Sequence, residues 1–572
     1  MAKYESWLSS DYFDAEDKKE LEAIKNDKKE IQERFYKELE FGTAGLRGII
    51  GMGTNRMNKY IVGKATQGLA NYILKQPGAA EKGVAIAFDS RNMSYEFAQT
   101  TALVLSANKI KAYIYPELRP VPVLSFSIRH LGCTAGVVIT ASHNPAKYNG
   151  YKVYWEDGGQ IPAPRDGEIM KEVNAVEITE VKKTTIEEAK KAGYYIEIGP
   201  EVDDAYIAAI KKLSLNGDII KKVADDFKIV YTPLHGSGNK PVRRILKEVG
   251  FKNVYVVPEQ ELPDGNFPTV AFPNPEFPES FALAIELAKK VEADIIVATD
   301  PDADRVGGIV KTSNGDYAIL TGNISGSLLT EYVLSQRKAK GTLSKNPAVV
   351  KTIVTTDMIK PMCEAYGAKM FDVLTGFKYI GDKIKEWEKT GEYTYEFGFE
   401  ESYGSLAGTY ARDKDAVAAT MLLCELAAVL KDRGLTLYEG LMELYEKYGY
   451  YKEGIKSITL EGIEGLERIS YIMEALRKNP PTELAGKKVE WLCDFKEKQF
   501  KNLITGETEE NALPPSNVLR YKLEGGAWVC VRPSGTEPKL KIYYGIKGTS
   551  LAHAEEEVKN LESFMGDYVE KL

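Results

Sequence analysis

The sequence predicts an α/β protein: three successive αβ domains with mixed, mostly parallel sheets, followed by a C-terminal α+β domain. Three observations lead there. The chain has 572 residues, and at ~100–200 residues per domain a single core cannot serve it. Short apolar runs alternate with helix-length periodic segments over 62–154, 228–305 and 324–450, the pattern of crossover units in a parallel sheet. Beyond residue 450 the character changes to separate strands and one long amphipathic terminal helix. The expected domains are 1–203, 204–323, 324–450 and 451–572, and no Gly/Ser- or Pro-rich linker separates them, so they are expected to pack closely.

Between Asp14 and Glu40, apolar Leu21, Ile24, Ile31 and Phe35 recur at helical spacing in a charged background, giving one or two amphipathic helices. Phe41-Gly-Thr-Ala-Gly-Leu-Arg-Gly48 follows, where three glycines let a backbone approach a ligand and Arg47 can offer a fork of donors. Then come a helix at 62–75, a strand at 83–88, a helix at 95–108, a strand at 111–115, a helix at 121–131 and the strand Ala135-Gly-Val-Val-Ile139. That strand runs into TASHNPAKYNGYK, residues 140–152, where Asn144-Pro145 and Asn149-Gly150 read as turns. Ser142 is thereby expected as an exposed hydroxyl at a strand's carboxyl end, where reactive loops of open sheets belong. A serine needs a base, a metal or positive charge to act as a nucleophile; His143, Lys147 and Lys152 are nearby candidates. By itself, the segment also reads as an ordinary Asx/Ser turn.

The second block has strands at 228–232 and 253–257, Pro233-Leu-His-Gly-Ser-Gly238, and helices at 241–249 and 278–291. Its last apolar strand ends in Asp300-Pro-Asp-Ala-Asp-Arg305. Carboxylates at i, i+2 and i+4 on a strand-end loop repel one another unless a cation neutralises them, and an all-oxygen set suits Mg²⁺. A calcium EF-hand also opens DxDxD, but Arg305 and Lys311 stand where its Gly and Glu belong, so that reading fails. A solvated turn is the remaining alternative.

The third block has a strand at 348–354, a helix at 358–366, a strand at 370–374, then Thr375-Gly-Phe-Lys-Tyr379, Tyr395-Glu-Phe-Gly-Phe-Glu-Glu-Ser-Tyr-Gly404 and a helix at 413–430. Glu400 and Ser402 place hydrogen-bonding groups in a Gly-flanked loop, a common way to hold sugar hydroxyls and equally the make-up of a surface turn. The last block is expected to be antiparallel, with strands at 454–460, 528–531 and 539–544 and a helix at 551–572. Between the last two strands, Arg532-Pro-Ser-Gly-Thr-Glu-Pro538 combines an arginine, two hydroxyls and a glycine that frees backbone amides, a make-up suited to an anion.

A net charge of −8 and the absence of a long basic run argue against a nucleic-acid partner. Five scattered cysteines without CxxC spacing fit a reducing compartment, and no apolar stretch reaches the ~20 residues of a membrane span. With an N-terminus unlike a signal peptide, the expectation is a soluble cytoplasmic protein, monomeric or a weak homodimer.

The order Thr-Ala-Ser-His-Asn-Pro, Tyr-Asn-Gly, Lys152 closely resembles the phosphoserine loop of the α-D-phosphohexomutases, the phosphoglucomutase and phosphomannomutase superfamily. FGTAGLRG, DPDADR, GFEES and RPSGTEP resemble that family's arginine, metal, sugar and phosphate loops, in family order across nearly the whole chain. The resemblance implies a central cleft between the domains. It makes Ser142 the phosphoryl carrier, Lys152 a general acid or base, His143 a loop-orienting residue and Arg47 a phosphoryl contact. It implies Mg²⁺ on Asp300, Asp302, Asp304 and a phosphoserine oxygen of Ser142, with Arg305 as an adjacent cation. Glu400 and Ser402 would contact sugar, Lys378 phosphate, and Arg532, Ser534, Gly535 and Thr536 the non-reacting phosphate, with Lys541 an addition.

The reaction so implied interconverts glucose 1-phosphate and glucose 6-phosphate, with glucose 1,6-bisphosphate priming the enzyme. Pentose or mannose phosphates are the alternatives within the class. A phosphosugar phosphatase and a silent sugar-phosphate sensor are alternatives outside it.

Overall fold

All five residues of Ala135–Ile139 are buried, as are those of Val84–Phe88 and Ile295–Thr299, so these apolar runs are strands covered on both faces. The computed structural model describes residues 1–40, 45–312, 314–460, 462–534 and 539–572. The chain divides into two compact units: one of 1–321, 380–391 and 402–436, the other of 322–379, 392–401 and 437–572.

The first unit holds two sheets. In chain order the strands of the first are β1 (Gly45–Ile49), β2 (Val84–Phe88), β3 (Ala112–Ile114), β4 (Ala135–Ile139), β5 (Tyr148–Trp155) and β6 (Tyr195–Glu197). They lie in the order β1-β5-β4-β2-β3-β6, parallel from β4 to β6 and antiparallel at the β1-β5-β4 edge. The helices Lys59–Leu74, Ser94–Ala107 and Val121–Leu131 complete this layer.

β5 corrects the expectation of one loop from 140 to 152. Asn149-Gly150 reads as a turn but sits inside the strand. The buried Asn149 amide donates to Asn92 O and Ser94 Oγ at 3.0 Å each. A Cβ on Gly150 would stand 2.5 Å from Thr140 O and 2.9 Å from Leu46 O, so glycine is there to let three strands close up.

The second sheet has β7 (Lys228–Thr232), β8 (Asn253–Val256), β9 (Ile295–Thr299), β10 (Val306–Lys311) and β11 (Tyr317–Leu320), in the order β11-β10-β9-β7-β8. The β9-β10-β11 pairings are antiparallel, a meander that the sequence pattern did not predict. The almost wholly buried helix Ala416–Asp432 covers this sheet. It starts three residues later than the pattern suggested because Asp415 caps it, accepting from Val417 N at 2.8 Å and Ala418 N at 3.0 Å.

In the second unit, β12 (Pro347–Thr352) lies between β13 (Lys369–Val373) and β14 (Thr394–Phe399), parallel to both. After the short strand β15 (Ser405–Ala407) of the first unit, the C-terminal segment supplies β16 (Tyr450–Thr459), β17 (Glu483–Leu484), β18 (Lys487–Asp494), β19 (Gln499–Asn502), β20 (Thr508–Glu510), β21 (Leu519–Leu523), β22 (Trp528–Pro533) and β23 (Lys539–Gly548). Their main path, β16-β23-β22-β21-β18-β19-β20, is antiparallel throughout, as expected of an α+β domain. The helix Leu551–Lys571 lays Ala554, Val558, Leu561 and Met565 on the sheet.

Candidate active site

The loop after β4 is built around Ser142, whose φ is +52°, a left-handed conformation uncommon for serine. Two contacts hold it. Thr140 Oγ1 accepts from Ser142 N at 2.8 Å, and Arg91 draws the loop's carbonyls inward, donating to Ser142 O at 2.5 Å and to Pro145 O and Tyr148 O at 3.0 Å each. Ser142 is consequently only 3% exposed, which corrects the expectation of an exposed hydroxyl.

Its Oγ donates to Asp300 Oδ2 at 2.9 Å and lies 3.1 Å from His143 Nδ1. The structure thus brings the serine loop and the aspartate loop together, although they are 158 residues apart. Thr140 Oγ1 reinforces the junction with a 3.0 Å bond to Asp302 Oδ2.

Asp300, Asp302 and Asp304 are buried, and each offers one oxygen within 4.8 Å of the others. Lys152 Nζ on β5 lies 3.1 Å from Asp302 Oδ2, and Lys414 Nζ lies 3.1 Å from Asp304 Oδ2. Asp302 Oδ1 and Asp304 Oδ1 are buried with no hydrogen-bond partner among the described residues. Orphaned buried carboxylate oxygens beside a third carboxylate fit a hard divalent cation, so the triad could hold a metal.

The electrostatics agree. Burial, then the charges of Asp302 and Asp304, push the Asp300 carboxyl well above the usual carboxylate range. Burial followed by Asp302 also raises Asp304. Asp302 is held low: burial is the largest single influence and works against its charge, but the charge of Lys152, hydrogen bonds with Asp300 and Lys152, and the charge of Lys414 together outweigh it. Burial, with Arg305 and Arg47 as further causes, holds the His143 imidazole well below its usual value, so it is neutral at neutral pH.

The remaining cations are placed individually. Arg47 on β1 donates to Asn144 Oδ1 at 3.4 Å, bringing the arginine loop to the serine loop, while Phe41–Ala44 lie outside the described residues. Arg305 Nη1 donates to Glu276 Oε1. Ser402 opens the 402–436 segment of the first unit, which also supplies Lys414.

The second unit assembles its own polar group. Glu400 Oε1 accepts from Gly376 N at 2.9 Å, and Arg532 donates to Thr375 Oγ1 at 2.8 Å, so the 375–376 turn gathers both candidates. Arg532 also reaches Tyr543 Oη at 3.2 Å. Lys378 lies in the first turn of the helix Phe377–Thr390, its Nζ 5.2 Å from the Tyr379 ring centroid. Ser534 N donates to Lys539 O at 2.7 Å, pinning the end of β22 to β23, which carries Lys541; Gly535 and Thr536 lie outside the described residues.

Sequence reasoning missed Thr140, Arg91 and Lys414. Arg91 carried a weak signal, Asp89-Ser-Arg91 straight after an apolar strand; Lys414 carried none beyond its charge.

A serine and an acidic triad facing each other on strand-end loops of a multi-sheet α/β chain define an enzyme of the phosphotransferase type. The chain belongs to the phosphoglucomutase/phosphomannomutase family. Its alpha/beta/alpha domains I, II and III match residues 38–180, 204–315 and 321–448, and its C-terminal domain matches 475–561. A phosphoglucomutase of Staphylococcus saprophyticus is 37% identical over 510 residues, 89% of this chain and 90% of that protein. One from Staphylococcus aureus strain USA300 is 37% identical over 519 residues, 91% of each chain. The crystal structure of a putative phosphomannomutase from Thermus thermophilus shares the fold, with a TM-score of 0.68 at 22% identity over 93% of this chain and 99% of that one.

Proposed function

We propose that this enzyme interconverts glucose 1-phosphate and glucose 6-phosphate, as a phosphoglucomutase working through a phosphoserine at Ser142 and a glucose 1,6-bisphosphate intermediate. The observation that carries the reading is the 2.9 Å bond from Ser142 Oγ to Asp300 Oδ2, which sets the serine hydroxyl against the acidic triad.

Asp300, Asp302 and Asp304, with an oxygen of the Ser142 phosphate, would hold Mg²⁺. When bound, the ion neutralises the charge of the phosphoryl group, the main requirement of this chemistry. Arg47 and Arg305 add positive charge. A bond forms from a sugar oxygen to phosphorus as the Ser142 Oγ bond to phosphorus breaks. Lys152 takes the hydroxyl's proton in one direction and returns it in the other, and neutral His143 steadies Ser142 Oγ. Glu400 and Ser402 hold sugar hydroxyls and Lys378 contacts phosphate, while Arg532, Ser534, Gly535 and Thr536, with Lys541 as an addition, hold the phosphate that is not reacting. The bisphosphate then reverses and returns its other phosphate to Ser142. In this reading the domains are 1–203, 204–323, 324–450 and 451–572; the first carries both the Arg47 and Ser142 loops, and the metal, sugar and phosphate loops fall one in each of the others.

The test is glucose 6-phosphate formation from glucose 1-phosphate, with Mg²⁺ and a trace of glucose 1,6-bisphosphate. It is run beside ribose 1-phosphate and with the Ser142→Ala variant. Glucose turnover lost in the variant supports the reading. Preference for the pentose replaces the substrate, and an active Ser142→Ala enzyme removes the phosphoserine mechanism.

A further inference from the structure

A cavity of about 330 Å³ lies in the first unit, and neither Ser142, Lys152 nor any of the three aspartates lines it. Its body is apolar: Leu118, Val123, Ile207, Pro241, Pro263 and the Tyr206 ring. Its charged lining is internally paired. Arg119 grips Asp203 at 2.9 Å, Lys240 reaches Glu117 at 2.6 Å, and Arg244 leans out to Asp204 at 2.7 Å. Arg244 also bonds Glu248 at 3.0 Å, so each cation of the lining is matched by a carboxylate.

The helix Asn239–Val249 begins in this wall with no side-chain cap and no acidic residue in its first turn, so its positive end is not offset there. A mostly apolar volume at the small end of the ~300–1,000 Å³ range of ligand pockets, its wall charges paired but the positive end of a helix left open in that wall, selects for a small molecule with an apolar body and one negative group.

The wall is continuous with the aspartate loop. Ser237 N and Oγ both donate to Pro301 O at 2.8 Å, and a Cβ on Gly236 would stand 2.5 Å from Pro301 Cα. Val121 N, two residues from Val123, donates to Asp302 O at 2.9 Å. A ligand that shifts Ser237 or the start of the helix Val121–Leu131 therefore acts directly on the backbone between Asp300 and Asp304.

We propose that this cavity is a second binding site, for a small apolar organic monoanion, and that its occupancy is coupled to cation binding at the aspartate loop. The site stands on the cavity alone; the coupling rests on the aspartates holding a cation. Linkage makes the coupling reciprocal, so each ligand changes the other's affinity by the same factor.

The test uses the full chain and 8-anilinonaphthalene-1-sulfonate, an aromatic monoanion, followed by fluorescence. One equivalent is expected to bind and to resist displacement by glucose 6-phosphate. Ile207→Trp, which fills the cavity, is expected to abolish binding, and Lys240→Glu, at an exposed position, to weaken it fivefold or more. Should Ile207→Trp fail to fold, Lys240→Glu decides. Unchanged binding in Lys240→Glu overturns the site. Mn²⁺ affinity, read by electron paramagnetic resonance, is expected to shift threefold or more when the probe saturates. Mn²⁺ binding that ignores the probe overturns the coupling, whereas no Mn²⁺ binding at all overturns the coupling together with the metal reading of the triad, and the fluorescence titration still decides the site.

Discussion

Arg91 and Ser142 are joined through the main chain: the guanidinium donates to Ser142 O at 2.5 Å, and it also bonds the carbonyls of Asn144, Pro145 and Tyr148. Its own charge is matched by Asp89 at 3.3 Å, with both side chains fully buried. Arg91 therefore fixes the left-handed backbone on which the serine hydroxyl depends.

Replacing Arg91 with Met leaves Asp89 buried and uncompensated, a loss of ~3–5 kcal/mol. It also frees four loop carbonyls. Because a small misplacement of a reacting group costs about 100-fold, kcat is expected to fall by that order with a smaller change in KM. Denaturant unfolding and steady-state kinetics check the two effects, and Arg91→Lys, which keeps the charge but not the fork, is expected to recover stability more than activity.

The aspartate triad predicts opposite responses with and without metal. Asp304 Oδ1 is buried, with no hydrogen-bond partner among the described residues, beside the other two carboxylates. Asp304→Asn relieves that repulsion, so the metal-free protein is expected to melt at a higher temperature than the parent. Mg²⁺ at ~100 times its Kd is expected to stabilise the parent by ~2.7 kcal/mol and the variant by much less. Thermal melts in chelator and in Mg²⁺ measure both differences; a variant that gains as much from Mg²⁺ as the parent would remove Asp304 from the ligand set.

How far the sequence disclosed the fold depended on whether each residue's local signal agreed with its role. The strands β4 and β9 were legible because both are five-residue apolar runs that end in polar groups, and those ends carry Ser142 and Asp300. The helix Val121–Leu131 has the bounds expected of it, and the structure shows Pro122 in its first turn and left-handed Gly132 closing it. β5 was not, because Asn149-Gly150 imitates a turn while serving close strand packing.

β10 was hidden for a similar reason. Gly307 and Gly308 weaken its strand pattern, yet a Cβ on Gly307 would stand 2.7 Å from Pro275 O. The triad and the serine could be named from their motifs. Their meeting rests on Thr140, which bonds both loops, and on Arg91, which shapes the serine loop; of these contacts only Asp89-Ser-Arg91 left a weak local sign, and the pairing of Lys414 with Asp304 left none.

Gly236 provides a stability prediction in a motif that the chemistry does not use. A Cβ there would stand 2.5 Å from Pro301 Cα and 2.9 Å from both Pro233 O and Pro301 O, all backbone atoms that cannot rotate aside. Gly236→Ala is expected to cost ~1–3 kcal/mol by overpacking. Because the contact is with the residue between Asp300 and Asp302, Mg²⁺ affinity is expected to fall too. Gly434→Ala, whose Cβ would meet nothing within 4 Å but whose φ is +79°, is the control, expected to lose stability without a change in Mg²⁺ affinity.

Glu453 on β16 predicts a pH dependence in the second unit. Burial pushes its carboxyl up to about 7; Asp357 adds to the rise, and a hydrogen bond with Thr356 opposes it, as do the charges of Lys452 and Lys351. Between the ordinary value of 4.5 and about 7 the folded protein keeps the proton while the unfolded chain has lost it. The unfolded state then binds fewer protons, so this group's contribution to stability is full below pH ~4.5 and declines as pH rises towards ~7. A shift of this size amounts to at most ~3 kcal/mol. Glu453→Gln keeps the shape and the neutral form at every pH. It is expected to match the parent near pH 4.5 and to exceed it increasingly up to pH 7, a difference read from urea midpoints across that window. Parallel curves for the two proteins would show that Glu453 is already ionised in the fold.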